Sequence, residues 1–498
     1  MSPIRVLKIV LISLLTLFLS MILKNFLSTM SAPSFQNAAS KQVIVVGSGL
    51  AGLSAASTLV KHGITVHLLE RSAKPGGNSM KASSGINGAP TKYQSGTDTT
   101  FYSDTIKSVG SVLSTAKEQR ESLITTLTNS SSSAVSWLVD EKGVDLSIVA
   151  QLGGHSFPRT HRGAGQTPPG ASIITTLLKS LKESSLFHLE TSCLVTNVLK
   201  SENEITGVEY SHEEQTKQIQ GPVVFASGGF AGDAQGMLST YRPDLAGFPS
   251  TNEPRPGSQN LLTRVGAQLL DMDLVQVHPT SFVDPKDPLN PVKFLAAEML
   301  RGEGGLLLQD EKRFVNEMDT RKNVTEAIMK GPSDRSLPRQ WTNVQLILDE
   351  GVFAQAASHV GFYLWKGLME KTTVSSLGED ALQSLQEYAN IVAGDIPDPL
   401  ERQSFGHWTL REVLPTSVVY VGRVTPAVHF TMGGVVISPQ SEVLNADHTP
   451  IKGLWAAGEV TGGIHGENRL GGSSLLECAV FGRLAGEEAA KYVGAVPS

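Results

Sequence analysis

Cysteine is nearly absent from this chain: its 498 residues include two, Cys193 and Cys478. Two thiols cannot build a disulfide scaffold, an iron–sulfur centre or a Cys-x-x-Cys-His haem site. Redox chemistry, if any, then needs an organic cofactor, and no metal-ligating set is read from the sequence. An excess of positive charge is missing too. The net charge of −6 argues against a nucleic-acid partner, whose phosphates need a basic surface. Glycine is plentiful instead, at 48 residues, which suits a fold with many ligand-facing turns. The length is enough for two or three domains with full cores.

The one long apolar run is N-terminal. Arg5 and Lys8 precede an uncharged stretch from Ile9 to Leu23, and Lys24 closes it. A basic flank and about fifteen apolar residues suit a signal-peptide core better than a full span of about twenty. Extension to Leu27 leaves a signal anchor, and so a membrane tether, open. No acidic residue occurs before Glu70, which makes a mitochondrial presequence the competing reading. The expectation is entry into the endoplasmic reticulum, with the mitochondrion as the main alternative and dual targeting compatible with both. Asn129 and Asn323 head Asn-x-Ser/Thr triplets that would be sequons in the first case. Residues 1–40 are set apart as the targeting segment.

The folded part opens with "KQVIVVGSGLAGLSAASTLVKHGITVHLLER". Val43 to Val46 predict a short buried parallel strand. Gly47, Gly49 and Gly52 follow at G-x-G-x-x-G spacing, with Leu50 and Ala51 opening a helix that Gly63 ends. "ITVHLLE" predicts the second strand, closed by Glu70 about twenty residues after the glycines. That pattern brings a pyrophosphate onto a helix N-terminus and an acid onto ribose hydroxyls. A glycine triplet alone is weak evidence; strand, helix, strand and terminal Glu together point to dinucleotide binding. Arg71 and the Gly/Ser/Asn-rich "GGNSMKASSG" come next. Two later apolar strands, in "GPVVFASGGFAG" (221–232) and "GLWAAGEVTGG" (453–463), also run into small residues. A cofactor long enough to touch all three junctions is FAD.

Near the C-terminus, "GGIHGENRLGGSSLLE" (462–477) sets Arg469 and His465 in a dense run of glycine. Bare backbone around one fixed cation marks a close approach to a ligand. With "QLGGHSFPRTHR", "VQVHPT", "KRFVNEMDTR" and "HFTMGG", these motifs resemble the fumarate reductase and succinate dehydrogenase flavoproteins, most of all the soluble yeast-type fumarate reductases. The resemblance runs from about residue 42 to 490. It implies an α/β fold: a Rossmann-like FAD-binding domain split in sequence (41–275 and 428–498) around an inserted α+β capping domain (276–427). The part of the cap from Pro332 to Phe405 reads as mixed helix and loop.

What the resemblance implies about chemistry is specific. Arg469 clamps one carboxylate of a C4 dicarboxylate, as a planar guanidinium suits, and His278, His429, Glu298 and Gly472 complete the substrate site. Hydride passes from FAD to one alkene carbon while Arg321 protonates the other, and Glu298 and Arg301 restore that proton. Three residues apart, Glu298 and Arg301 share a face if their segment is helical. The residues alone would not suggest Arg321 as an acid, because an arginine pKa exceeds about 12. FAD contacts are carried over to Gly47, Gly49, Leu50, Ala51, Gly52, Glu70, Arg71, Gly77, Asn78, Ser79, Ser83, Ser84, Gly85, Ala226, Glu459, Ser474 and Leu475.

Two departures from the pattern stand out. Quinone-coupled relatives attach FAD through a histidine where this chain has Asn78, so FAD is expected to be non-covalent and fumarate reduction favoured over succinate oxidation. "TNEPRPGSQN" (251–260) lacks a Thr-Gly-Asp-Gly element and its cofactor-contacting Asp. The expected partners are fumarate and succinate, with free reduced flavin such as FMNH2 or FADH2 as electron donor. An L-aspartate oxidase-like enzyme and an inactive flavin-binding module are the rival readings.

Overall fold

A computed structural model describes residues 41–494; the targeting segment read at residues 1–40 lies outside them. Strand β1 (Gln42–Val46) leads into helix α1 (Leu50–Lys61) and strand β2 (Thr65–Leu69). β1 and β2 pair in parallel with Val46 opposite Leu69, and Val43–Val46 are buried, which is why this strand reads as an unbroken apolar run. Gly47 has φ +100°, and a Cβ there would lie 2.3 Å from the Ala226 carbonyl oxygen. A Cβ at Gly52 would lie 1.9 Å from the Gly47 oxygen. Only glycine lets the turn form and the helix close onto it.

The first sheet grows through β3 (Phe187–Glu190), the meander β4 (Leu194–Ser201), β5 (Glu204–His212) and β6 (Gln215–Gln220), and β7 (Val223–Phe225). A second sheet follows. Its strands and the helices between them come in the order β8 (Val275–Phe282), a helical turn α2 (Met299–Gly302), β9 (Leu306–Gln309), helix α3 (Arg321–Met329), β10 (Val344–Leu348) and the long β11 (Val418–Thr431). The chain then returns to the first sheet with β12 (Pro450–Ala456) and ends in α4 (Ser473–Tyr492). The first sheet runs β3-β2-β1-β7-β12-β5-β4, and neighbours are parallel from β3 through β5. In the second, β8, β11, β10 and β9 are successive antiparallel neighbours.

Each sheet has its own hydrophobic core. Leu50, Val66, Phe225, Leu454 and Phe481 belong to the first, which takes residues from both ends of the described chain. Leu300, Leu307, Ile347, Tyr388 and Val421 belong to the second. The segment read as mixed helix and loop, Pro332 to Phe405, needs correction: it also holds β10, beside β11 in the second sheet, and the edge strand Glu370–Thr373. "VQLIL" is a five-residue apolar run, and periodicity cannot tell a buried strand of that length from a helical piece. No helix among the described residues is long and apolar enough to cross a membrane.

Candidate active site

The cofactor end is built where β1, β7 and β12 stop. No side chain caps α1 at Gly49, and its first turn holds no acid. Ser79 Oγ takes the Leu50 N–H at 3.1 Å. Glu70 Oε2 accepts from Ser48 N at 3.0 Å and Ser48 Oγ at 2.5 Å, and Oε1 from Ser72 N at 2.7 Å. Helix α4 packs on α1 so closely that a Cβ at Gly482 would lie 2.4 Å from the Ala51 oxygen. Ser474 and Leu475 sit in its first turn, behind Gly472 at φ +81°. Ala226 is buried at the end of β7. Glu459 accepts from Thr431 N at 2.9 Å and Oγ1 at 3.2 Å, and burial pushes its carboxyl up to about 7.

Two observations fit FAD to this channel. Ser83 Oγ is buried with no hydrogen-bond partner among the described residues, and a Cβ at Gly228, just past β7, would meet nothing within 4 Å. Gly228 leaves room for a ligand past β7, and the Ser83 hydroxyl is left without a protein partner among the described residues. Ser84 and Gly85 are buried beside Ser83, whereas Gly77 and Asn78 are exposed. The divergent segment 251–260 is stitched to these loops: Arg71 donates to the Pro256 carbonyl at 2.9 Å, Lys81 pairs with Glu253 at 3.0 Å, and the Asn78 amide donates to Asn252. Asn252 in turn donates to the His429 carbonyl at 2.9 Å. Segment 251–260 therefore connects the cofactor loops to His429 on β11.

The reaction end lies between β8, β11, α3 and the 462–477 loop. β8 and β11 pair with Gln276 opposite Phe430 and His278 opposite Ala427, and the register slips on both sides of Val277–His278. Such irregularities re-aim side chains. The His278 and His429 rings meet edge to face at 5.2 Å. Burial first, then the Arg321 cation, holds both well below the usual histidine range, so both are neutral at pH 7. His429 Nδ1 is fixed by Thr251 Oγ1 at 2.8 Å. His278 Nε2 is buried without a partner among the described residues.

Arg321 is the first residue of α3, after the Thr320 cap, and Thr325 ties that helix to the Val277 carbonyl at 3.1 Å. Its Nε donates to Glu298 Oε2 at 2.7 Å, its Nη2 donates to the same oxygen, and Nη1 donates to Gln276 Oε1 at 2.9 Å. Glu298 Oε1 lies 3.6 Å from Arg301 Nη2 across the turn α2, so the expected shared face holds. Arg301 Nη1 donates to the Glu317 carbonyl at 2.6 Å, and the Glu317 carboxylate pairs with Arg402 at 3.0 Å and Arg313 at 2.9 Å. Burial works against charge on Glu298, but Arg321 and Arg301 outweigh it and hold its carboxyl below the usual range.

Arg469 is buried like Arg321 but bonded quite differently. It stacks on Phe430 at 4.3 Å, donates once to the Leu470 carbonyl at 3.3 Å, and leaves Nε unpartnered. No carboxylate among the described residues forms an ion pair with it. Burial, with the Arg321 charge nearby, brings its pKa down to about 9. Gly472 beside it is packed against a side chain: a Cβ there would lie 2.2 Å from Asn87 Oδ1.

Several supporting residues escaped the sequence reading. Gln276 bridges the two arginines, accepting from Arg321 and donating to the Arg469 carbonyl at 3.1 Å. His155 accepts from Arg159 at Nδ1 (2.8 Å), so its Nε2 carries the proton and donates to the Gly471 carbonyl at 3.0 Å. Burial and Arg159 hold its pKa down at about 4. His465, which the sequence singles out without a role, pairs with Glu477 at 2.6 Å and sits edge-on to Phe430, the ring on which Arg469 stacks. Gln276 and His155 lie inside quoted motifs; amides and buried histidines carry no spacing that marks such a role.

The fold and this site define a flavoprotein. The FAD binding domain family matches residues 42–475, and the chain belongs to that family; its cofactor is FAD. It is similar to fumarate reductase 1 of Saccharomyces cerevisiae, 42% identical over 475 residues that cover 90% of this chain and 98% of that one. It is similar also to the fumarate reductase of Schizosaccharomyces pombe, 40% identical over 491 residues, covering 93% and 92%. Among solved structures it resembles the open conformation of a flavocytochrome c3 fumarate reductase, with TM-score 0.70 and 30% identity over 91% of this chain and 78% of that chain.

Proposed function

We propose that the chain is an FAD-dependent oxidoreductase that reduces fumarate to succinate. The observation that carries this reading is Arg469: a buried cation with no ion-pair partner among the described residues. Such a charge is costly unless a ligand supplies the counter-charge. A small dicarboxylate does so. One carboxylate pairs with Arg469, and the other meets the neutral His278 and His429, whose ring nitrogens can donate without adding charge.

The Gly47–Gly52 turn and the small residues after β7 would hold FAD, non-covalently because Asn78 offers no ring nitrogen for attachment, and reduced FAD would supply the hydride for one alkene carbon. Arg321 gives a proton to the other, and the product is succinate. Glu298 accepts from Arg321 and faces Arg301, so it returns a proton along that line. Free reduced flavin is the electron donor of this reading, and residues 1–40 carry the chain into the endoplasmic reticulum, with the mitochondrion as the alternative.

The test is anaerobic. The chain is loaded with FAD, reduced with a slight excess of reduced FMN and given fumarate. Rapid re-oxidation with stoichiometric succinate supports both reductase and donor. Turnover of aspartate with oxygen but not fumarate would replace the reading with an oxidase, and a yellow protein inert to both would leave a binding module.

A further inference from the structure

Cys193, His212 and Glu190 form a cluster remote from the chemistry above. Glu190 ends β3, His212 ends β5, and Cys193 follows a tight turn in which Ser192 takes φ +57°. Left-handed backbone is unusual for serine, and here it swings Cys193 back towards both strand ends. Cys193 Sγ lies 3.3 Å from His212 Nδ1 and 3.6 Å from Glu190 Oε2, and those two atoms are 3.5 Å apart. A zinc ion with Zn–S of about 2.3 Å and Zn–N and Zn–O of about 2.0–2.1 Å has tetrahedral edges of about 3.3–3.6 Å. The three atoms already form one face of that tetrahedron.

We propose that Cys193, His212 and Glu190 bind a thiophilic divalent cation, zinc by preference, with water in the fourth position. The donor set is mixed sulfur, nitrogen and oxygen, which suits zinc rather than magnesium or calcium. Access fits as well: Cys193 is buried, whereas the His212 and Glu190 side chains are 22% and 44% exposed. His212 Nε2 lies 3.8 Å from the exposed Glu213 carboxylate, beyond hydrogen-bond reach.

The position gives the ion a role. Cys193 N donates to the Glu70 carbonyl at 2.9 Å, Ser192 N to the Ser72 carbonyl at 3.1 Å, and Glu70 N to the Glu190 carbonyl at 2.9 Å. A cation joining β3, the turn and β5 therefore pins the backbone that carries Glu70, the ribose acid of the dinucleotide motif. Its effect is on stability rather than turnover.

The test uses the FAD-loaded full chain, freed of metal with a chelator and titrated with zinc chloride against a chromophoric competitor. One equivalent binds per chain and raises the Tm. Cys193→Ser and His212→Ala each weaken binding by about 100-fold or more. Cobalt(II) in place of zinc gives a thiolate-to-metal charge-transfer band that Cys193→Ser loses. Should the buried Cys193 variant fold poorly, His212→Ala and Glu190→Gln, at partly exposed positions, carry the affinity test. Absence of stoichiometric zinc in the parent chain overturns the proposal. So does equal affinity in His212→Ala and Glu190→Gln.

Discussion

Arg321 and Arg469 are both buried guanidiniums at one site, yet their surroundings are opposite. Arg321 is saturated: Glu298 takes two of its nitrogens and Gln276 a third. Arg469 has an aromatic face, one backbone carbonyl and an idle Nε. A cation whose bonds are filled by protein is held in place, and its charge is balanced by a carboxylate that can exchange a proton. A cation left unpaired in a buried site stores binding energy for an anion that arrives later. On the function proposed above, the contrast separates a group that acts on the substrate from a group that holds it.

The largest expected effect breaks the first half of the contrast. Arg321→Ala should lower fumarate turnover by about a thousand-fold, in the range of a lost general acid, while the flavin spectrum persists. Turnover at the parent rate would remove Arg321 from the mechanism. Stability should then move in opposite directions for the two arginines. Arg321→Ala strands Glu298 beside Arg301 alone and should destabilise the FAD-loaded protein by on the order of 3 kcal/mol. Arg469→Met deletes an unpaired buried charge and should raise the Tm measured without fumarate. A fall in both would mean that Arg469 is balanced within the protein after all.

A smaller effect is expected at the bridge. Gln276→Leu removes a hydrogen bond to each arginine's neighbourhood and should cost about 10-fold in kcat/KM. KM should change less than kcat, because Arg469 keeps its stacking on Phe430. The smallest effect is a slope. The folded pKa of His155, near 4, lies below its unfolded value of about 6.5. The unfolded chain then binds more protons between those values, so stability falls as the pH drops from about 6.5 towards 4. Denaturant titrations of His155→Gln should show a shallower fall over that window.

Legibility from sequence followed the distance between partners. The β1–α1–β2 unit could be read because its signals, Val43–Val46, Gly47, Gly52 and Glu70, are local and each meets a steric or hydrogen-bonding demand. Arg469, His429 and Arg321 were found through motifs that resemble a family, since nothing in the spacing of an arginine says whether its charge will be paired. Gln276, Thr251 and His155 were passed over for a physical reason. The partners of Gln276 and Thr251, and the Gly471 carbonyl that His155 meets, are remote in sequence, and such a side chain takes on a role only once a fold puts a partner against it. β10 was hidden by its shortness. The cysteine count showed what the chain could not build, but it could not show that Cys193, His212 and Glu190 converge.

The most direct measurement compares fumarate binding and reaction in two variants. Oxidised, FAD-loaded Arg321→Ala and Arg469→Met are titrated with fumarate by perturbation of the flavin spectrum, then reduced anaerobically and mixed with saturating fumarate. The contrast predicts that Arg321→Ala binds fumarate within about 10-fold of the parent but is not re-oxidised, while Arg469→Met loses binding by at least about 100-fold. Parent-like affinity in Arg469→Met, or prompt re-oxidation of Arg321→Ala, would contradict it.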